Sequence, residues 1–227
     1  VVYAVTNKLT SNESTRINHF AHVNYSNKNQ LIGKLLCING AGIMYKWLKT
    51  NTSATSYQQM NNLAEKIPIG SNGLVVIPFG NGSERMFNNK NIGTHFFNLN
   101  LNLHSDGHLY RASLEAIAFS FVYGIEIMKN DGTEINIIKA GNDNLFRSDI
   151  FSNTISALIN HDIEIYNTTG SVGAARASGL INGDFDKFSD FLTQNDHVKT
   201  YKPIKDNQLY IKAYSNWKNE LKTLLNK

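Results

Sequence analysis

Short runs of β-branched and aromatic residues open the chain and then give way to longer stretches with helical spacing. Val1–Val5, Phe20–Asn24 and Leu31–Ile38 are apolar segments set apart by polar residues rich in Asn, Ser, Thr and Lys, and this alternation predicts an antiparallel meander. Asn39-Gly40-Ala41-Gly42 then leads into a helix reaching Lys49, with Ile43, Trp47 and Leu48 on one side. A more polar helix is expected from Ser56 to Lys66, stopped at Ile67-Pro68 because proline disfavours helix in the residue before it. Gly73–Phe79 reads as a buried strand that runs into the loop Gly80–Arg85, and Gly93–Leu99 as another strand. Ser105 or Asp106 can cap a long helix from about His108 to Asn130. Its apolar positions form two stripes, one through Leu109, Ala112, Ala116, Phe119, Tyr123 and Ile127 and one through Leu114, Ile117, Phe121, Ile125 and Met128. Such a helix is buried on most sides.

The segment Ile135–Leu180 reads as strand, turn, helix, strand, turn, helix. Ile135, Ile137 and Ile138 end on Ala140-Gly141-Asn142-Asp143-Asn144, where a helix should begin and continue from Leu145 to Asn160-His161. A second strand through Ile163, Ile165 and Tyr166 is followed by Thr168-Thr169-Gly170-Ser171 and a helix of small residues, Gly173, Ala174, Ala175, Ala177, Ser178 and Gly179. Small side chains let a flat ligand or another backbone come close; two ordinary, tightly packed βα units are the alternative reading. Phe185, Phe188, Phe191 and Leu192 predict one more helix, Tyr201-Lys202-Pro203 a break, and Leu209 to Leu225 an amphipathic helix that folds back onto its own domain, with binding to a partner as the alternative.

Composition narrows the function classes. At 227 residues and 41% hydrophobic content the chain can fill a sizeable core. Its net charge of +4 comes from dispersed Lys and Arg, without the basic, aromatic-interleaved stretches of a nucleic-acid platform. No stretch approaches the 18 apolar residues of a membrane span and no basic, apolar leader stands at the start, so a cytoplasmic protein is expected. The single cysteine, Cys37, lies in the apolar run Leu35–Ile38 and reads as a buried structural thiol. His19 and His22 fall on opposite faces of a strand, and no carboxylate or thiol completes a zinc site around His104 and His108, so no protein-held metal is expected. Ser83 lacks the glycine spacing of a hydrolase nucleophile elbow.

Four stretches together carry a family resemblance: Gly40-Ala41-Gly42, Pro78-Phe79 followed by Ser83-Glu84-Arg85, Arg111-Ala112-Ser113-Leu114-Glu115, and Ile138–Phe146 with Gly170–Ala175. The chain resembles the C-terminal domain of the FGGY carbohydrate kinases, nearest to the xylulose kinases among them. The resemblance runs from about Val1 to the terminal helix. It implies an α/β fold of the ribonuclease H-like class shared with actin and Hsp70, with a mixed five-stranded sheet flanked by helices over residues 1–227. It implies ATP-dependent phosphorylation of a sugar, D-xylulose foremost. Ribulose, fuculose, gluconate or glycerol remain as other acceptors, and a non-catalytic regulator or actin-like assembly domain as another class.

By the same resemblance Gly40 and Gly42 approach the phosphates, Lys46 reaches towards the ribose or base, and Ala140, Gly141, Asn142 and Asn144 meet the adenosine. Glu84 and Arg85 border the substrate cleft. Most of the family carries a run of glycines where this chain has Lys139-Ala140-Gly141, which leaves Gly141 as the backbone contact. Mg²⁺ would arrive with ATP, held mainly by its phosphates. Because residue 1 is Val and already begins a strand, the chain reads as the nucleotide-side part of a longer kinase. Its partner is then an N-terminal sugar-binding lobe that also carries the first phosphate loop and the catalytic Asp, and the isolated chain should be inactive. A homodimer is left open; nucleic acid and membrane are not expected partners.

Overall fold

The computed structural model describes residues 1–227 except 11, 14, 23, 24, 179–195 and 227. They form two compact units, Val1–Ile135 with Asp206–Lys227, and Asn136–Lys205. The first is assembled around the long helix α3 (Asp106–Asn130), whose N-cap is Ser105. The backbone N–H of Ser105 donates to Nδ1 of His108 at 3.1 Å, satisfying the turn that precedes the helix. Both predicted stripes are buried along most of its length, from Tyr110 to Met128.

Strands β1 (Val2–Thr6), β2 (Asn18–Ala21) and β3 (Ile32–Leu36) make one antiparallel sheet in the order β1-β3-β2. The expected meander would have put β2 in the middle. Instead Val2 pairs with Leu36 and Asn18 with Leu35, so β3 uses both its edges. The connection from β1 to β2 is no tight turn: Thr10 Oγ1 donates to Asp131 Oδ2 at 2.9 Å and the Glu13 N–H to Oδ1 at 3.0 Å, which ties that segment to the end of α3. Lys34 of β3 meets the same carboxylate at 2.8 Å, and both residues are fully buried.

Helices α1 (Ala41–Asn51) and α2 (Tyr57–Glu65) and the hairpin of β4 (Val75–Phe79) with β5 (Gly93–Phe97) complete the packing around α3. On α1 the buried face is Ala41, Met44, Tyr45 and Leu48; Ile43 and Trp47, grouped with Leu48 on one side by their spacing, are half exposed. The terminal helix of this unit, named α6 below (Gln208–Leu225), folds back as expected. Its Trp217 is fully buried among Phe79, Phe119, Tyr123 and Tyr214, and Nε1 donates to the carbonyl of Val76 at 3.0 Å. Cys37 is half-buried rather than buried.

In the second unit β6 (Ile138–Gly141) and β7 (Ile163–Tyr166) are parallel, and β8 (His197–Tyr201) adds antiparallel to β7. The first strand therefore starts three residues later than its isoleucines suggested. Between β6 and β7 a single 3₁₀ turn (Asn144–Arg147) closes on Ser148, whose N–H bonds the carbonyl of Leu145 at 2.9 Å. Helix α4 (Asp149–Ile159) begins only there, not at Leu145, and ends on Asn160 in the left-handed region at φ 56°. Helix α5 (Gly170–Ser178) follows β7. The helix expected through Phe185–Leu192 lies outside the described residues.

Among the described residues the expected five-stranded sheet is replaced by sheets of three, two and three strands. The strands are four or five residues long, and β3 and β7 each pair on both edges within their own sheet.

Candidate nucleotide-binding elements

In the first unit the candidate residues collect at the start of α1. Gly40 precedes the helix without a side-chain cap, and no acidic residue stands in the first turn. The first N–H groups of a helix have no intrahelical acceptor, and the helix dipole makes that end favourable to anions. Gly42 is exposed, and a Cβ built there would meet no atom within 4 Å. The packing of this unit gives it no reason to be glycine. Lys46, one turn further, is exposed on the same outer side.

Glu84 is fully buried and turned onto this loop: Oε2 accepts from the N–H of Asn39 at 2.9 Å and Oε1 from that of Gly40 at 2.6 Å. Arg85 turns elsewhere, its Nε donating to the carbonyl of Thr15 at 3.0 Å and its Nη1 to Oδ1 of Asn18. Glu84 and Gly40 are thus brought into contact, whereas Arg85 braces the start of β2.

In the second unit Ala140, Gly141, Asn142 and Asn144 lie together in the turn after β6. A Cβ on Gly141 would stand 2.4 Å from the carbonyl oxygen of Thr168, so the turns after β6 and β7 touch backbone to backbone. The Asn142 N–H donates to the carbonyl of Tyr166 at 2.7 Å, and the Asp143 side chain accepts from the Asn144 N–H at 2.7 Å, with Asn144 at φ 49°. The Tyr166 phenol is pushed up to about 12 by burial and by its 2.5 Å hydrogen bond to Glu164, so it remains a neutral donor. The first turns of α5 are exposed from Gly170 to Ala175, and a Cβ added at Gly170 or Gly173 would meet no atom within 4 Å.

Thr169 was not singled out by sequence, yet its Oγ1 accepts from the N–H of Val172 at 3.3 Å and contacts Oγ of Ser171 at 3.0 Å. Its place three residues before Val172 is the available signal, the spacing of an N-cap. The bonding of Glu84 had no signal, since its partners lie more than forty positions away. Among the described residues there is no group of three or more His, Cys, Asp or Glu side chains arranged to hold a metal ion, and no helix long and apolar enough to cross a membrane.

Residues 7–179 match the FGGY family of carbohydrate kinases, C-terminal domain, and the chain belongs to that family. A curated relative is the xylulose kinase of Haemophilus influenzae, 25% identical over 98% of this chain and 45% of its own length. Among solved structures, the xylulose kinase from Rhodospirillum rubrum superposes with a TM-score of 0.78 at 21% identity over 99% of this chain and 46% of that one. Plasmodium falciparum glycerol kinase with ADP gives 0.77 at 17% identity over 98% and 45%. The chain therefore spans about half the length of the proteins it matches.

Proposed function

We propose that this chain is the nucleotide-side lobe of an ATP-dependent carbohydrate kinase that converts D-xylulose to D-xylulose 5-phosphate. The observation that carries the reading is Gly42: a glycine in the first turn of a helix, exposed, with open space where its Cβ would be. That space suits a phosphate approaching the helix N–H groups. The residues present fit the group. Gly40, Gly42 and Lys46 would hold the phosphates and ribose; Ala140, Gly141, Asn142 and Asn144 would meet the adenosine beside the small, exposed start of α5. Bound MgATP supplies the phosphoryl group, with Mg²⁺ held mainly by phosphate oxygens.

Phosphoryl transfer depends on positioning and on stabilising charge. In this reading the chain contributes the orientation of the nucleotide, while a sugar-binding lobe outside it contributes the acceptor pocket and the Asp that takes the proton of the attacking hydroxyl. The chain alone then transfers no phosphoryl group, and the place of action is the cytoplasm. The relatives' length supports a second lobe. A second reading keeps the chemistry and changes the acceptor, because the glycerol kinase superposes almost as well as the xylulose kinase.

The test is a phosphorylation assay of the complete kinase with MgATP against D-xylulose, ribulose, gluconate and glycerol, products identified by ³¹P NMR. The expected result is the highest kcat/KM for D-xylulose. Preference for glycerol or gluconate would replace the acceptor, and no nucleotide consumption with any of them would overturn the kinase reading.

A further inference from the structure

The loop between β4 and β5 grips the residues before α1 with four hydrogen bonds. Besides the two from Asn39 and Gly40 to Glu84, Asn39 Nδ2 donates to the carbonyl of Ser83 at 3.3 Å and Asn81 Nδ2 to that of Asn39 at 3.4 Å. The gripping residue is itself fixed. The Glu84 N–H donates to the carbonyl of Lys90 at 3.0 Å, and the N–H groups of Phe87 and Asn89 both donate to the Glu84 carbonyl at 3.0 Å. A Cβ on Gly40 would lie 3.1 Å from Glu84 Oε1 and 3.0 Å from Asn81 Cβ, so a larger residue there would press on the grip. Stripping water from a carboxylate is costly, and here charge-assisted bonds to two successive backbone N–H groups offset it. A buried acid committed to two N–H groups of one loop fixes the direction in which the helix that follows presents its own.

We infer that Glu84 is a positioning residue for the nucleotide. It sets the angle of Asn39–Gly40 so that the free N–H groups at the start of α1, with Gly42, face the phosphates. The inference rests on the nucleotide reading given above. Removing the grip lets that helix end turn, which weakens nucleotide binding and leaves the sugar side untouched.

The test uses the complete kinase carrying Glu84→Gln, which keeps the side-chain shape but sets an NH₂ against one of the two N–H groups. The expected result is a rise of about tenfold in KM for MgATP, equivalent to about 1.4 kcal/mol, with KM for the sugar unchanged. Glu115→Gln is the control for a purely structural loss. Glu115 is a second buried acid that accepts from a backbone N–H, that of Gly70 at 3.1 Å, and pairs with Arg111 at 2.6 Å. It should lower Tm without moving either KM. Should Glu84→Gln not fold, Glu84→Asp, charged but one methylene shorter, must show the same selective rise. Equal changes in both KM values, no change in either, or the same rise in Glu115→Gln would overturn the inference while leaving the kinase reading intact. A wild-type enzyme that consumes no nucleotide would remove both.

Discussion

At Gly141 an added methyl would press on the carbonyl oxygen of Thr168 at 2.4 Å, whereas at Gly42 it would meet nothing within 4 Å. The two glycines should therefore respond oppositely to Ala. Gly141→Ala must separate two backbone turns and should destabilise by on the order of 2 kcal/mol. Gly42→Ala replaces glycine inside a helix and should stabilise by up to about 1 kcal/mol, while weakening nucleotide binding. Urea unfolding of both variants checks the first half, and a destabilised Gly42→Ala would show that its glycine serves packing after all. Asp131 makes a separate case. Burial pushes its carboxyl up, but hydrogen bonds from Lys34, His19, the Glu13 N–H and Thr10 outweigh it and hold the group far below the usual carboxylate range. A depressed folded value stabilises the fold above the unfolded value near 4 and loses that contribution as pH falls below it. Asp131→Asn leaves Lys34 buried without its anion, so it should cost about 3–5 kcal/mol at pH 7. The gap to wild type should narrow between about pH 5 and pH 2, followed by chemical denaturation at each pH. A gap that stays constant would mean the carboxylate charge is irrelevant there.

Helix α1 shows how far element-level patterns reach. Its existence and limits follow from Gly40-Ala41-Gly42 and the spacing of its apolar residues, but its inner face does not. Ile43, Trp47 and Leu48 and the observed Ala41, Met44, Tyr45 and Leu48 both satisfy helical spacing. Choosing between them depends on what packs against the helix, and α3 and β4 select the second set. Met44→Ala should accordingly cost about 2–4 kcal/mol, and Ile43→Ala no more than about 0.5 kcal/mol, by thermal unfolding; the reverse order would mean that the side through Ile43 and Trp47 packs inward. Helix α3 was legible throughout, since two stripes of apolar residues leave little choice of face. The start of α4 was not: Leu145 and Phe146 continue the apolar spacing of Ile150 and Phe151, and Phe146 packs edge-on against Phe151 at 5.1 Å from within a separate turn. Strand β8, polar at His197 and Lys199 and exposed over most of its length, carried no alternation to detect.

For the molecule as a whole, strands were easier to find than their partners. Which edges meet is a matter of long-range pairing, and the meander and the five-stranded sheet both failed on that point, at β3 and β7, while the individual segments mostly stood. The closing of the first unit by α6 was legible from its Tyr and Trp spacing. Trp217→Ala should cost about 3–5 kcal/mol, read as a lower urea midpoint; a loss under about 1 kcal/mol would mean α6 is dispensable to the core. The candidate site is a proposal drawn from a family pattern rather than from geometry. The buried grip of Glu84 joins residues more than forty positions apart and has no signature in sequence spacing. If the proposed second lobe supplies two or three of the phosphate contacts, each worth roughly 1.5–3 kcal/mol, a complex of about −6 kcal/mol would fall to no tighter than about 1 mM for this chain alone. The most direct measurement is therefore residue-resolved: amide chemical shifts of the isotopically labelled chain titrated with MgATP. The account predicts shifts concentrated at residues 40–43 and 140–144, half-saturating in the millimolar range, and it is contradicted by shifts centred elsewhere, by none, or by micromolar saturation.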